Sequence, residues 1–521
     1  MCFTIQTLAQ GVPKIGFEKL LLSESFEGSI GSNSVFSMAF DTSEGKIWFV
    51  TRSGLKTANG IWSQSPFFRN ISFTTSAQNF NLEGIQTVDV LANRVWASSS
   101  KISEKDGVTR AGDGLIYSMN GGTEWTVLPQ PLDKQTDTLE PYGINQVSAL
   151  PIIVPEQNII YDIAIGLKPG TVWVATWSGG IRRTQNNGQK WQRMMLPPTG
   201  FRRLSPTDTV RTKLEPRRGE DGDLTFLGFS VLQAQNGDVW VGTVDGICRT
   251  READSLYPSW EKFTRNSTEI SGGGITGNWI IALKEQPATP SFSRAIWAAT
   301  WQGQSNTERF GVSWTRDDGL TWSNALIGER IYDFAFKGDT VFATGTNGLF
   351  ISYNGGATWI NQRVLRDQTN PKIFTKPKSE FQSVLSVPRT PNSLSSIWVG
   401  TTDGTGYSLD GGQNWSITRA NIPTSSKTAT YAYPNPFSPR LDRLIRIRFN
   451  QGNSTSATIH ILDFSMKKVK TIYSTSESNA DAEVTWDGRT ENGARVANGV
   501  YFYQVDIAGG NASRGKILII D

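Results

Sequence analysis

At 521 residues, with 37% apolar side chains, 51 Gly and 18 Trp, the chain has the composition of a folded, turn-rich protein rather than a disordered one. Its 51 basic and 47 acidic residues nearly cancel, so no field demands nucleic acid or an anionic membrane, and no apolar run approaches the roughly 20 residues that span a bilayer. One histidine, His460, all but excludes imidazole-activated Ser or Cys nucleophiles and two-histidine zinc sites, so neither metal nor cofactor is expected.

The opening stretch "MCFTIQTLAQGVPKIGFEKLLLSESF" has no basic region followed by an apolar one, so it does not read as a secretory signal. Residues 1–31 are expected to be an N-terminal extension or the remnant of a longer precursor. Cys2 and Cys248 cannot build a disulfide framework.

From residue 32 to 428 one unit repeats seven times. An aromatic-centred strand recurs as "KIWFVT", "RVWASS", "TVWVAT", "DVWVGT", "AIWAAT", "TVFATG" and "SIWVGT", centred on Trp48, Trp96, Trp173, Trp240, Trp297, Phe342 and Trp398. Each has an apolar strand before it and a Gly turn, a third strand, an eight-residue box and a fourth strand after it. Four short strands per repeat, at spacings of about 40–70 residues, predict a β-propeller, whose radial repetition leaves few free sheet edges.

Five boxes are well kept: Ser118, Asn120, Gly122 and Trp125; Thr184, Asn186, Gly188 and Trp191; Thr315, Asp317, Gly319 and Trp322; Ser352, Asn354, Gly356 and Trp359; Ser408, Asp410, Gly412 and Trp415. The first repeat has a degenerate "TANGIW", Thr57 to Trp62, and the fourth is interrupted between Thr250 and Trp260. Asp and Asn bond backbone N–H groups of their own turn, Gly supplies positive φ, and Trp plugs the hairpin into its blade. The boxes are therefore expected to be turn staples. Six Trp at strand centres and seven at box ends account for thirteen of the eighteen, a placement for packing between blades rather than for chemistry.

The innermost strands, aligned by eye, give a column Ser37, Asp89, Asp162, Ser230, Ile280, Asp333 and Ser383. Such a column predicts a polar ring around the central channel. Asp89, Asp162 and Asp333 are the candidate catalytic carboxyls, because glycoside hydrolysis needs two such groups roughly 5–10 Å apart. Hydrogen bonds to channel water or neighbouring strands are the structural alternative. Trp177 in "ATWSGG" and Trp301 in "ATWQGQ" follow the second strands of repeats three and five, where other repeats carry Arg52, Val244 or Thr346. They share a rim with the long connections 129–157, 196–227 and 361–380, and their indoles are candidates to stack on a sugar or anchor a protein. Arg182 and Arg183, with Arg202 and Arg203 nearby, are candidate anion contacts or solvated surface charge.

From 429 to 521 the pattern changes to period-2 strands, "IRIRFN", "ATIHILDF", "VKTIYS", "AEVTWDGR", "VYFYQVDI" and "KILIID", which predict a β-sandwich; His460 lies on one of them.

The boxes resemble the Asp-box, or BNR repeat, of sialidase-type and related propellers, which lies away from the active face in those families. The motifs "YPNPF", "WDGR" and "NGVYFY" of the last segment resemble the FlgD-like Ig domain, with overlap to the sorting domains of type IX secretion, although the chain ends in Asp521 where sorting domains usually carry Lys or Arg. The implied fold is all-β, a seven-bladed propeller followed by an Ig-like sandwich. The implied setting is extracellular or cell-surface, in an envelope-bearing bacterium, with envelope or secretion machinery as a partner of the tail.

Three function classes follow. A non-enzymatic binding or scaffold propeller takes a glycan or protein ligand on its loop face. A glycoside hydrolase of sialidase-like or xyloglucanase-like type uses the channel carboxyls, although "F/YRIP" is missing and only one propeller is encoded. An assembly factor of the photosystem II stability type is the third.

Overall fold

The computed structural model describes residues 30, 32–51, 54–59, 68–70, 84–103, 109–156, 158–216, 223–267, 273–303, 305–369, 374–375, 379–391, 393–419, 430–440, 442, 444–450, 456–475, 481–507 and 512–521. Cys2, Arg52 and Trp62 lie outside them. The chain divides into two compact units, Met1–Ala420 and Asn421–Asp521.

The first unit is a seven-bladed β-propeller. Each blade is an antiparallel sheet of consecutive strands, and the fourth gains an outer fifth strand, Arg203–Leu204. The innermost strands are Val35–Asp41, Ile85–Leu91, Ile160–Ile165, Gly228–Gln233, Trp279–Gln286, Ile331–Lys337 and Phe381–Val387. Each lies beside the next, and the last lies beside the first, so the ring is closed. Blade seven keeps four strands of its own, the outermost Ser416–Thr418, and closure is a contact between complete blades. Across it, Ser383 Oγ donates to the Val35 carbonyl at 3.1 Å and the Gly404 N–H to the Asn33 carbonyl at 2.7 Å. Ile30, expected within an extension, is buried against both closing blades, because a branched apolar side chain there finishes their shared core.

The boxes explain how blades pack. In all five the first hydroxyl accepts the N–H of the fifth residue at 2.7–2.9 Å, and the Asx oxygen accepts the N–H of the seventh at 2.8–2.9 Å. The fourth and fifth positions both have positive φ: 66° and 87° at Gly121 and Gly122, 53° and 81° at Asn187 and Gly188, 59° and 92° at Asp318 and Gly319. Only Gly, Asn and Asp enter that region cheaply, which is why no other residue stands there. The second Gly also has no room for a side chain: a Cβ on Gly122 would lie 2.5 Å from Trp48, and one on Gly356 2.7 Å from Trp297. The central Trp of one blade thus sits on the box of the next. Box and strand indoles meet edge-on, Trp48 with Trp125 at 5.8 Å, Trp297 with Trp359 at 6.2 Å and Trp240 with Trp322 at 6.5 Å. The interrupted fourth repeat keeps the rule, with Trp260 at 6.5 Å from Trp173.

The second unit is an Ig-like β-sandwich. A three-stranded sheet (Thr430–Tyr433, Ile445–Asn450, Asp481–Trp486) accompanies a four-stranded one (Lys468–Thr475, Ser456–Leu462, Gly499–Ile507, Ser513–Ile519). Alternate residues Ile447, Phe449, Ile459, Ile461, Tyr503, Val505 and Ile517 fill its core together with Trp486, whose N–H donates to the Arg489 carbonyl at 2.8 Å. His460 lies on the four-stranded sheet, 3.6 Å from Asp506. Among the described residues no helix is long and apolar enough to cross a membrane.

Candidate functional site

Every innermost strand carries a β-bulge at the same place. The register skips one residue between Val35 and Ser37, Ile85 and Thr87, Ile160 and Asp162, Gly228 and Ser230, Ile280 and Ala282, Ile331 and Asp333, and Phe381 and Ser383. The bulged residues are Phe36, Gln86, Tyr161, Phe229, Ile281, Tyr332 and Gln382, and none of them is buried. A bulge turns one side chain out of the pleat and recurs next to functional sites. Here seven of them ring one end of the channel.

The bulges correct the polar column. Pairing places Ser37, Thr87, Asp162, Ser230, Ala282, Asp333 and Ser383 in one register. Thr87 and Ala282 replace Asp89 and Ile280. Asp89 lies two residues farther along, opposite Trp96, in the register of Lys284 opposite Trp297. Alignment by eye misses this because blades two and five have no Asp or Ser directly after the bulge.

Each candidate carboxyl holds two backbone amides. Asp89 accepts from Val90 at 2.9 Å and from Ile165 of the next blade at 2.7 Å. Asp162 accepts from Ile163 at 2.9 Å and Val231 at 3.0 Å, and Asp333 from Phe334 at 2.9 Å and Val384 at 3.0 Å. Ser230 Oγ, in the same register, donates to the Ile280 carbonyl of blade five at 3.0 Å. These side chains join neighbouring inner strands.

Lys284, which the column did not include, stands among the carboxylates, its ammonium 3.8 Å from Asp333 and half-exposed to the channel. Asp333 foremost raises its pKa above the ordinary lysine value, against burial, with Asp162 and Asp89 adding. Burial in turn raises all three acids, and Asp162 is pushed up to about 7 despite Lys284 and its amide donors. A carboxyl whose folded pKa lies above its unfolded value binds more protons in the folded state. Its stabilisation is therefore complete below about pH 4 and drains away as pH rises towards 7. Asp162→Asn should remove that slope. Denaturant unfolding of parent and variant at pH 4 and pH 7 should show the parent's relative stability falling by roughly 3 kcal/mol over that range; parallel behaviour at the two pH values would contradict it.

Above the carboxyls the rings form an arc over blades three to six. Tyr161 packs with Trp177 at 6.4 Å and Phe229 at 5.6 Å, Phe229 with Trp177 at 5.1 Å and with Trp279 at 5.8 Å. Trp301 packs with Tyr332 at 5.7 Å and Phe310 at 6.0 Å, and its N–H donates to the Ile331 carbonyl at 2.9 Å. Trp177 and Trp301 are thus both partly accessible and held in place by neighbouring rings. Tyr161 is 38% exposed. Beside the arc, an open cleft of about 270 Å³ is lined by Phe36, Tyr332, Glu380 and Gln382.

Arg182 and Arg183 are not on this face. They are 2% and 1% exposed. Arg182 pairs with Asp133 at 2.6 Å, while Arg183 lies over the Trp173 ring at 5.2 Å and donates to Gln192 at 2.8 Å. The connection 129–157 takes Arg182, together with Arg193, as its anchors through Asp133, while Arg183 is held by Gln192, the Ala253 carbonyl and Trp173, so neither meets ligand or bulk water. Cys248 is buried, its thiol pushed up to about 12 by desolvation. Among the described residues no cluster of three His, Cys, Asp or Glu side chains is placed to hold a metal ion.

Residues 445–512 match the FlgD Ig-like domain. No curated protein matches the sequence. Among solved structures, PorZ of Porphyromonas gingivalis, described as an essential bacterial surface component of the type-IX secretion system, is 16% identical with a TM-score of 0.42; the alignment covers 94% of this chain and 66% of PorZ. The GH74 xyloglucanase of Xanthomonas campestris is 11% identical, TM-score 0.46, over 95% of this chain and 74% of the enzyme. YCF48 bound to D1 peptide is 15% identical, TM-score 0.39, over 73% of this chain and 94% of YCF48.

Proposed function

We propose that the chain is a secreted or cell-surface binding propeller, with Asp-box-type turns as its staples and the Ig-like unit as an attachment or export module. The observation that carries this reading is the ring of bulges, which turns Phe36, Tyr161, Phe229 and Tyr332 out of their strands at one end of the channel. Partly exposed aromatic rings, of which Tyr161, Phe229 and Tyr332 are held by neighbouring rings, lose little entropy on binding and offer stacking faces to a glycan or protein. The channel carboxyls fit a staple role, since each spends its lone pairs on two amides.

A glycan array probed with the full chain tests this. Trp177→Ala should weaken the strongest interaction about tenfold or more, as removal of a ring from a stacking site does. Equal binding by parent and variant would remove Trp177 from the site.

Glycoside hydrolysis is the second reading. It is favoured by Asp162, a carboxyl half-protonated near neutral pH and so able to donate a proton. Release of chromophore from aryl glycosides, abolished by Asp162→Asn, would replace the first reading with this one.

A further inference from the structure

One end of the four-stranded sheet in the Ig-like unit is apolar and rimmed by lysines. Along its strands Ile461, Tyr503 and Ile517 enter the sandwich core, so the alternate residues Leu462, Phe502 and Lys516 lie on the opposite face. These three are neighbours across adjacent strands. The strand Ser456–Leu462 then passes through Asp463, Phe464, Ser465, Met466 and Lys467 into Lys468–Thr475. Phe464 is 78% exposed and Met466 56%. The Phe464 ring lies 6.4 Å from Phe502, so the turn and the sheet form one patch. Adjoining exposed apolar side chains, unlike single ones, mark a surface of interaction.

The turn is closed by its own hydrogen bonds. Asp463 Oδ1 accepts the N–H groups of Ser465 and Lys467, each at 2.9 Å, and the Ser465 hydroxyl at 2.7 Å. The Met466 N–H donates to the Asp463 carbonyl and the Asp463 N–H to the Lys467 carbonyl, both at 2.9 Å. Met466 holds a φ of 64°, where Gly or Asn would sit at less cost, yet the turn presents a thioether there. A tip fixed in advance loses little entropy when it docks.

The charge around it is locally positive, although the whole chain is almost neutral. Nearby acids are already matched, Glu491 by Lys470 at 3.3 Å, Asp521 by Arg495 at 3.5 Å and Asp463 by its own turn. Lys467, Lys468 and Lys516 are exposed and make no ion pair among the described residues. Because the Asp463 carboxylate and the Ser465 hydroxyl are engaged inside the turn, what it shows outward is two apolar side chains and ammonium charge. A fluid anionic lipid surface asks for that combination and for no fixed geometry. A protein groove selects its partner through directional hydrogen bonds, which this tip hardly offers.

We infer that the turn 463–467 and the adjoining end of the sheet dock on an anionic lipid surface. Phe464 and Met466 enter the boundary between headgroups and acyl chains, and Lys467, Lys468 and Lys516 lie over the phosphates. The inference rests on the Ig-like unit being an attachment module and names what it attaches to.

The full chain is sedimented with phosphatidylcholine vesicles and with mixed phosphatidylcholine–phosphatidylglycerol vesicles. Binding to the mixed vesicles alone is expected, weakening as salt is added. Phe464→Ala should lower it about tenfold or more, the factor that burying one large apolar side chain supplies, and Phe464→Trp should keep it. Lys467→Gln together with Lys468→Gln should lower it roughly twentyfold. All these side chains stand in solvent, so the variants should melt with the parent. Ile144→Ala, at an equally exposed apolar residue of the propeller, should bind as the parent does. Equal binding to the two vesicle types, binding to neither, or binding untouched by the Phe464 and lysine changes would each overturn the inference. Bacterial envelope membranes, intact and protease-stripped, separate it from the reading beneath it. Retention on stripped membranes supports lipid docking. Loss on stripping overturns lipid docking and leaves attachment, now through a protein. Absence of binding to either membrane overturns both.

Discussion

Trp297→Ala is expected to destabilise the propeller by about 3–5 kcal/mol, the range for removing a fully buried large aromatic side chain. Trp297 is fully buried at the centre of blade five's second strand. It stacks on Trp314 at 4.5 Å, lies within 6.1 Å of Phe334 and Phe336 of blade six, and meets the box ring Trp359 edge-on at 6.2 Å. Its N–H donates to Gln286 Oε1 at 3.0 Å. Gly356, at the turn of blade six, rests against the same ring. One truncation therefore empties the contact between two blades and leaves Gln286 Oε1 with Arg316, at 3.3 Å, as its remaining donor. Close-packed strands held by their neighbours cannot collapse into such a gap, so the upper part of the range is expected. Denaturant unfolding followed on the propeller transition measures it. Trp177→Ala, in the partly accessible arc, should cost much less, and equal losses for the two would contradict the packing argument.

Asp133→Ala carries the second large effect, about 3–5 kcal/mol, as expected when one partner of a buried ion pair is removed. Asp133 bridges Arg182 at 2.6 Å and Arg193 at 3.4 Å, and both guanidiniums are almost fully buried. Burial pushes the Asp133 carboxyl up, but the hydrogen bond and charge of Arg182, the Ile152 amide and Arg193 together hold it below the usual range. Arg193 is pushed down to about 10, by desolvation first and the like charge of Arg182 second. Removing Asp133 would leave two buried cations facing each other. It would also free the 129–157 connection, whose Ile152 N–H donates to Asp133 at 2.8 Å. The sign with pH is fixed by the depressed carboxyl. Its stabilisation is present above the unfolded pKa near 4 and is lost as pH falls through the lower folded value. The difference between parent and variant should accordingly shrink below about pH 4. A constant difference down to pH 3 would show that the loss is packing rather than charge.

Much of the fold was legible from one repeated unit. Period-2 strands around a central Trp, box turns whose fourth and fifth positions admit only Gly, Asn or Asp, and a later change of pattern suffice for a seven-bladed propeller and an Ig-like sandwich. These are local signals, because turn geometry and strand alternation are written within about ten residues. The interrupted fourth repeat shows the limit. Its box is broken, yet Trp260 still reaches Trp173, since packing selects the ring and not the motif around it.

The candidate site was less legible. Asp89 was read into the wrong register because Thr87, and not an Asp or Ser, stands after the bulge in blade two, and Lys284 was missed because its partners Asp89, Asp162 and Asp333 come from three other blades. Arg182 and Arg183 looked like surface charge until the distant Asp133 and Trp173 were placed against them. The repeat, the staples and the inward Trp are set locally, by residues that neighbour one another along the chain. Which side chains meet at the channel mouth, which carboxyl titrates near neutrality and which cations lie buried were decided only in the tertiary structure. Those properties depend on desolvation and on charges brought together from far along the chain.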